Sequence, residues 1–236
     1  MKRKLLLALI SATMFTGAYG GDWSTIKIGT EGAYPPWNGT NAAGELEGAE
    51  IYFVNEACKR MNAECEWVTQ DWDGILPALL NGKYDIIIAG MSITEERKKK
   101  VNFTNGYMTD GIRFAALKSS NLGSMGTNWS GSQTKKVNLS NPTGKELAAI
   151  AQMNTAMEGM IIGAQGATTH QNYVEKYMQG AVEMRLYQTM DDLHLDLAAG
   201  RIDAAIGDVG SLIDLSLIHI SEPTRRYAIS YAVFCL

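Results

Sequence analysis

Residues 80–90 read LNGKYDIIIAG, and residues 198–208 read AAGRIDAAIGD. Each is a helix end, a glycine suited to the position just past it, a basic residue and a strand. The nearly continuous apolar run at 84–89 is what a parallel strand covered on both faces requires. A second pair occurs in the same order, IGTEGAY at 28–34 and IGAQGAT at 162–168, each a strand end followed by a glycine-containing turn. Two matched pairs in the same order indicate two similar α/β lobes in tandem, each a mostly parallel sheet flanked by helices. In open α/β sheets, ligands bind beyond the carboxyl ends of the strands. Those ends carry residues 31–34, 89–92, 164–168 and Asp208. Two such edges facing each other make a cleft suited to a small ligand.

Working outward, residues 26–30 read as a strand. Ile51, Val54, Cys58 and Met61 fall on one helical face over 49–61. Residues 66–69 read as a short strand. Asp73 can cap a helix running to about Leu80, with Gly82 at its C′ position. Ser92 or Thr94 can open a short helix whose first turn holds Glu95 and Glu96, which complements the helix dipole. Residues 119–141, rich in Gly, Ser, Asn and Thr, read as a surface loop. Thr143 and Glu146 then make a capping-box pattern before a helix to about Met157.

The chain has 236 residues, 46% of them apolar and 19% charged, with a net charge of −4. This composition excludes a disordered chain, and three cysteines are too few for a disulfide scaffold. A mildly acidic chain lacks the basic face that sequence-independent nucleic-acid binding needs, so no nucleic-acid partner is expected. Lys2, Arg3 and Lys4, an apolar run over 5–15 and the small residues Ala18 and Gly20 read as a cleavable signal peptide over 1–20. The run is too short to span a membrane, and no cysteine follows it to carry a lipid anchor. At the other end, residues 215–236 (LSLIHISEPTRRYAISYAVFCL) resemble a translated sequencing adapter and are expected to be non-native; the alternative is a real apolar terminal strand. The remaining residues, 21–214, hold 16 basic and 24 acidic side chains, a net charge of −8. They also hold Cys58 and Cys65. In an oxidising compartment these two can pair, tying the end of a helix to the next strand; the alternative is two buried thiols.

Several separated motifs now stand in order: KIGTEGAYPPWN (27–38), EIYFVNEACKRM (50–61), CEW (65–67), DWDGILPALLNGKYDIIIAGMSITEERKKKVNFTNGY (71–107), QGATT (165–169) and LAAGRIDAAIGD (197–208). Together, over residues 23–214, they resemble the periplasmic polar amino-acid-binding proteins of bacterial ABC importers. Within that group the chain looks like the lysine/arginine/ornithine- and histidine-binding proteins, and like the octopine- and nopaline-binding proteins. The resemblance implies an α/β, two-lobed periplasmic binding protein fold of type II. Lobe 1 would occupy 21–114 and lobe 2 would occupy 115–214, with the first crossing near 113–118. In that family the chain returns after lobe 2 to complete lobe 1; with 215–236 set aside the fold is expected to be C-terminally truncated.

The resemblance also implies roles. Arg97 would hold a ligand α-carboxylate, for which a guanidinium fork is suited. Ser92 and the backbone at Ala89 and Gly90 would add donors, and Thr168, where a strand turns into a helix, would donate to the same group. Asp208 would take the α-ammonium, Tyr34 and Trp72 would sandwich the side chain, and Glu31 would meet a distal positive charge. Each residue has a plainer reading: Arg97 sits in a run with Lys98, Lys99 and Lys100 that could be a solvated face, Tyr34 and Trp72 could be core aromatics, Glu31 a solvated acid and Asp208 a helix cap. Where the family often has serines this chain has Ala89 and Gly90, and Ala164 is smaller than usual, which would leave room for a bulkier ligand. Asp208 favours a free α-ammonium over an opine, whose added carboxylate it would repel.

The function implied is capture without chemistry: a monomeric protein of the periplasm binds a polar, cationic amino acid and docks on an ABC permease in the membrane. An opine-binding protein and an extracellular sensory domain are the alternatives, and a cyclohexadienyl dehydratase-like enzyme the remote one. His170 and His194 read as ordinary surface histidines without metal-ligand spacing. No cofactor, metal or nucleotide is expected, and no catalytic residue.

Overall fold

Strand β1 (Thr25–Thr30) is the centre of the first lobe's sheet: Ile26, Ile28 and Thr30 are buried on one face, and on the other Gly29 is buried while Thr25 and Lys27 are exposed. The computed structural model describes residues 23–117, 119–120, 122 and 142–212. The expected signal peptide, most of the 119–141 loop and the 215–236 tail lie outside the described residues. After β1 come β2 (Gly39–Thr40), β3 (Leu46–Glu47), α1 (Ala49–Met61), β4 (Glu64–Thr69), α2 (Trp72–Leu80), β5 (Ile86–Ile87) and α3 (Glu95–Lys98). The sheet order is β4-β1-β5, all parallel. Ile26, Ile28, Ile86 and Ile88 pack with Val54 and Cys58 of α1 on one face. Ile87 and Ala89 pack with Trp72 and Ile75 of α2 on the other.

The second lobe contains β6 (Ile112–Ala115), α4 (Gly144–Ala156), β7 (Ile161–Gln165), α5 (Thr169–Tyr177), β8 (Glu183–Tyr187), α6 (Met190–Ala198) and β9 (Ala204–Asp208). Its order is β6-β9-β7-β8, parallel except for β6, which runs antiparallel to β9. Strand β6 spans the expected lobe boundary at 114, and its whole length pairs with β9. Ile162, Ala164, Ala204 and Ile206 face Tyr173 and Val174 of α5; Ala205 faces Met190, Leu193 and Leu197 of α6. Ala164 is fully buried in the core against α5.

The two repeats agree in atomic detail. Asp85 accepts the Lys27 N–H at 2.8 Å, and Asp203 accepts the Ile161 N–H at 2.8 Å. Ile28 pairs with Ile86 as Ile162 pairs with Ala204. Gly29 and Gly163 both lie under a close neighbour: a Cβ would lie 2.5 Å from the Tyr84 ring in one and 2.5 Å from the Ile202 Cδ1, the movable tip of its side chain, in the other. Tyr84 and Ile202 are themselves equivalent positions of the 80–90 and 198–208 segments.

Several boundaries differ from the sequence reading. Strand β4 begins at Glu64, because Cys65 and its neighbours pair with β1 from Thr25 onward. Only Ile86–Ile87 of the apolar run at 84–89 forms strand β5, flanked by the Asp85 and Ile88 N–H groups, which donate to the Lys27 and Gly29 carbonyls of β1 at 2.9 Å; Tyr84, Ile88 and Ala89 are buried. Asp71, not Asp73, stands at the N-cap of α2, and Asp73 lies in the first turn. Thr94, not Ser92, caps α3 by accepting the Arg97 N–H. The ends of α1 and the capping box of Thr143 and Glu146 on α4 are as expected.

Candidate functional site

The carboxyl ends of the two central strands face each other. Glu31 follows β1 and Gln165 ends β7, and the Gln165 side-chain amide donates to Glu31 at 2.6 Å. These two occupy the same position in their repeats, so they meet where a pseudo-twofold axis would pass. The strand registers extend the equivalence to Asp71 and Gln188, and Gln188 donates to Asp71 at 2.7 Å. The Trp72 indole N–H donates to the Ala167 carbonyl at 3.0 Å, and the Arg97 guanidinium donates to the same oxygen at 3.3 Å. Ala167 has φ +57°, a left-handed backbone that costs a non-glycine residue roughly 1 kcal/mol.

Each expected residue has a definite place. Tyr34, 7% exposed, donates its hydroxyl to Asp208 at 2.5 Å, so burial first and that carboxylate second push its pKa far up. Its ring also packs with Met190, Leu193 and Leu197 of the second lobe. Arg97 lies over the Trp72 ring, 5.3 Å from its centroid, and donates to the Ser92 carbonyl at 3.0 Å. Ala89 is core. The Gly90 N–H is committed to the carboxylate of Glu50 at 2.8 Å. Thr168 caps α5: its oxygen accepts the Gln171 N–H and its hydroxyl donates to the Gln165 carbonyl. Cys58 and Cys65 form the disulfide.

The electrostatics are acidic. Glu31 is 9% exposed, and burial raises its pKa to about 7; the Gln165 hydrogen bond opposes this, while Asp191, Asp71 and Glu50 add to it. For Asp208, burial works toward a higher pKa, but His170 and the Tyr34 hydroxyl more than offset it and hold the carboxyl below its usual range. Among the described residues no group of three or more His, Cys, Asp or Glu is placed to hold a metal ion.

The match to bacterial extracellular solute-binding proteins, family 3, runs over residues 26–176. The chain belongs to this family. Among curated solute-binding relatives, the octopine-binding periplasmic protein of Rhizobium meliloti is 34% identical over 84% of this chain and 67% of its own length. The L-arginine-binding protein of Pseudomonas aeruginosa is 30% identical over 90% of this chain and 71% of its own. An ancestral arginine-binding protein solved with arginine superposes with a TM-score of 0.68 at 25% identity, over 89% of this chain and 84% of that one. This solute-binding protein thus has the two-lobed type II fold that its motifs implied.

Sequence reasoning placed His170 on the surface. It is instead 5% exposed in the first turn of α5, with Nε2 3.3 Å from an Asp208 oxygen. The apolar neighbours Tyr173 and Val174, three and four residues on, mark the buried face and could have signalled this. His194 is also largely buried, which pulls its pKa down to about 4. Gln165, Asp71 and Gln188 were missed because nothing local marks a contact across 117 or more residues.

Proposed function

We propose that this solute-binding protein captures a polar, cationic amino acid between its lobes in the periplasm and delivers it, as a monomer, to the membrane permease of an ABC importer. The observation that carries this reading is the charge arrangement of the cleft, where one guanidinium, Arg97, shares a site with Glu31, Asp71 and Asp208. A cationic amino acid carries one negative and two positive groups, which Arg97 on one side and Asp208 and Glu31 on the other complement, while Asp71 already accepts from Gln188. Arg97 takes the α-carboxylate with Ser92 and Thr168 beside it, Asp208 takes the α-ammonium, and Glu31 faces the distal cation, between Tyr34 and Trp72. Each buried ligand charge must find a partner, since an unpaired buried charge is costly.

The octopine-binding relative supports an opine as second ligand class. Asp208 disfavours it, because an opine's second carboxylate would approach a carboxyl that His170 and Tyr34 keep ionised. The reading includes no catalytic step, so prephenate should not be turned over. Titration calorimetry with arginine, lysine, ornithine, histidine and octopine tests the ligand class. Arg97→Ala should abolish the heat of binding; wild-type affinity in that variant would overturn the assignment.

A further inference from the structure

Glu50 stands in the first turn of α1 and is 1% exposed, with both carboxylate oxygens engaged inside lobe 1. One carboxylate oxygen accepts the Gly90 N–H at 2.8 Å and the Tyr107 hydroxyl. The other accepts the Asn38 side-chain amide at 2.7 Å. The Asn38 side-chain oxygen in turn accepts the Gly32 N–H at 2.8 Å. Gly32 separates Glu31 from Tyr34, and Gly90 separates Ala89 from Ser92. Both are in the left-handed region, at φ +71° and +59°. The two turns that carry the lobe 1 ligand residues are thus joined through two buried side chains, Glu50 and Asn38. Both the carboxylate and the amide of this relay have matched partners, as buried polar groups require.

We infer that Glu50 is a positioning residue of the binding site, setting the turn at residues 31–34 against the turn at residues 89–92 through Gly90 and the Asn38–Gly32 relay. This rests on the amino-acid-binding reading above. A carboxylate that merely stabilised the core would alter melting without altering affinity. One that aligns two ligand-bearing turns alters affinity in protein that is still folded, because a binding site must be held near its productive geometry by the groups behind it.

The hydrogen-bond polarity provides the test. In Glu50→Gln the new amide faces the Asn38 amide, donor against donor, and turning Asn38 over orphans the Gly32 N–H. In the exchanged pair Asn38→Asp/Glu50→Gln every bond returns. The carboxylate introduced at position 38 accepts from Gly32 and from the amide introduced at position 50. The oxygen of that same amide group accepts from Gly90 and Tyr107. Calorimetry on the full chain with arginine should show E50Q weakened by about tenfold and the exchanged pair restored to within about threefold of wild type. Wild-type affinity in folded E50Q, or no recovery in a folded exchanged pair, overturns the inference. Should either variant fail to fold, amide hydrogen exchange on the wild type decides: Gly32 and Gly90 should be protected, and exchange as fast as in exposed turns overturns the inference. A wild type that binds none of the five probes sinks the amino-acid reading instead, while the exchange measurement still reports on the relay.

Discussion

At Glu31 the fold holds a proton that the unfolded chain would release. Its carboxyl titrates at about 7 in the cleft against an ordinary 4.5, chiefly because it is buried. Between those values the folded state binds more protons, so this group's contribution to stability falls as pH rises from about 4.5 to 7. His194 acts the other way. Burial lowers it from 6.5 to about 4, so the unfolded chain takes the proton first and stability rises with pH over about 4 to 6.5. The two largely mask each other. Glu31→Gln should unmask the histidine, giving a melting temperature that climbs more steeply between pH 4.5 and 6.5 than in wild type, as read by thermal denaturation; parallel curves would mean that Glu31 titrates normally. The same carboxyl should make a cationic ligand bind more tightly about one pH unit above its pKa than about one unit below.

At the scale of elements, what recurs in the two lobes is the strand–turn–helix unit. Gly29 and Gly163 let Tyr84 and Ile202 lie flat against the central strands, and Asp85 and Asp203 close the strand starts in the same way. The disulfide is peculiar to lobe 1, where it ties the last turns of α1 to β4 across seven residues. Closing so short a loop stabilises by about 2–3 kcal/mol. Cys58→Ala/Cys65→Ala should lose that amount in chemical denaturation, with ligand affinity unchanged, since neither cysteine reaches the cleft. The repeats and the ends of α1 were legible because period and capping are local signals. The start of β4 and the short ladder of β5 were not, because pairing depends on which backbone lies alongside.

For the whole molecule the decisive contacts are those between lobes. Equivalent residues meet across the cleft, Glu31 with Gln165 and Asp71 with Gln188, an acid from lobe 1 against an amide from lobe 2 in both cases. Trp72 and Arg97 converge on Ala167, and Tyr34 reaches Asp208. A ligand shifts an opening equilibrium only through contacts that are better in the closed arrangement. Gln165→Ala/Gln188→Ala should therefore favour separated lobes, seen in small-angle X-ray scattering as a larger radius of gyration that contracts when arginine is added. An unchanged profile would show that these amides do not hold the lobes together.

The two-lobed α/β plan, the strand ends that face the cleft and the cysteine pair could all be read along the chain. Repeated segments, apolar periodicity and capping residues act over a few neighbours, so a linear reading captures them. Three-dimensional packing alone sets His170 against Asp208, brings Glu31 to Gln165, and lets Glu50 and Asn38 join two turns whose glycines, Gly32 and Gly90, lie far apart in the chain. Burial and hydrogen-bond partnership are properties of what the rest of the chain brings to a residue. For Glu31 and Gln165 the repeat brings this about, by setting two copies of one motif edge to edge.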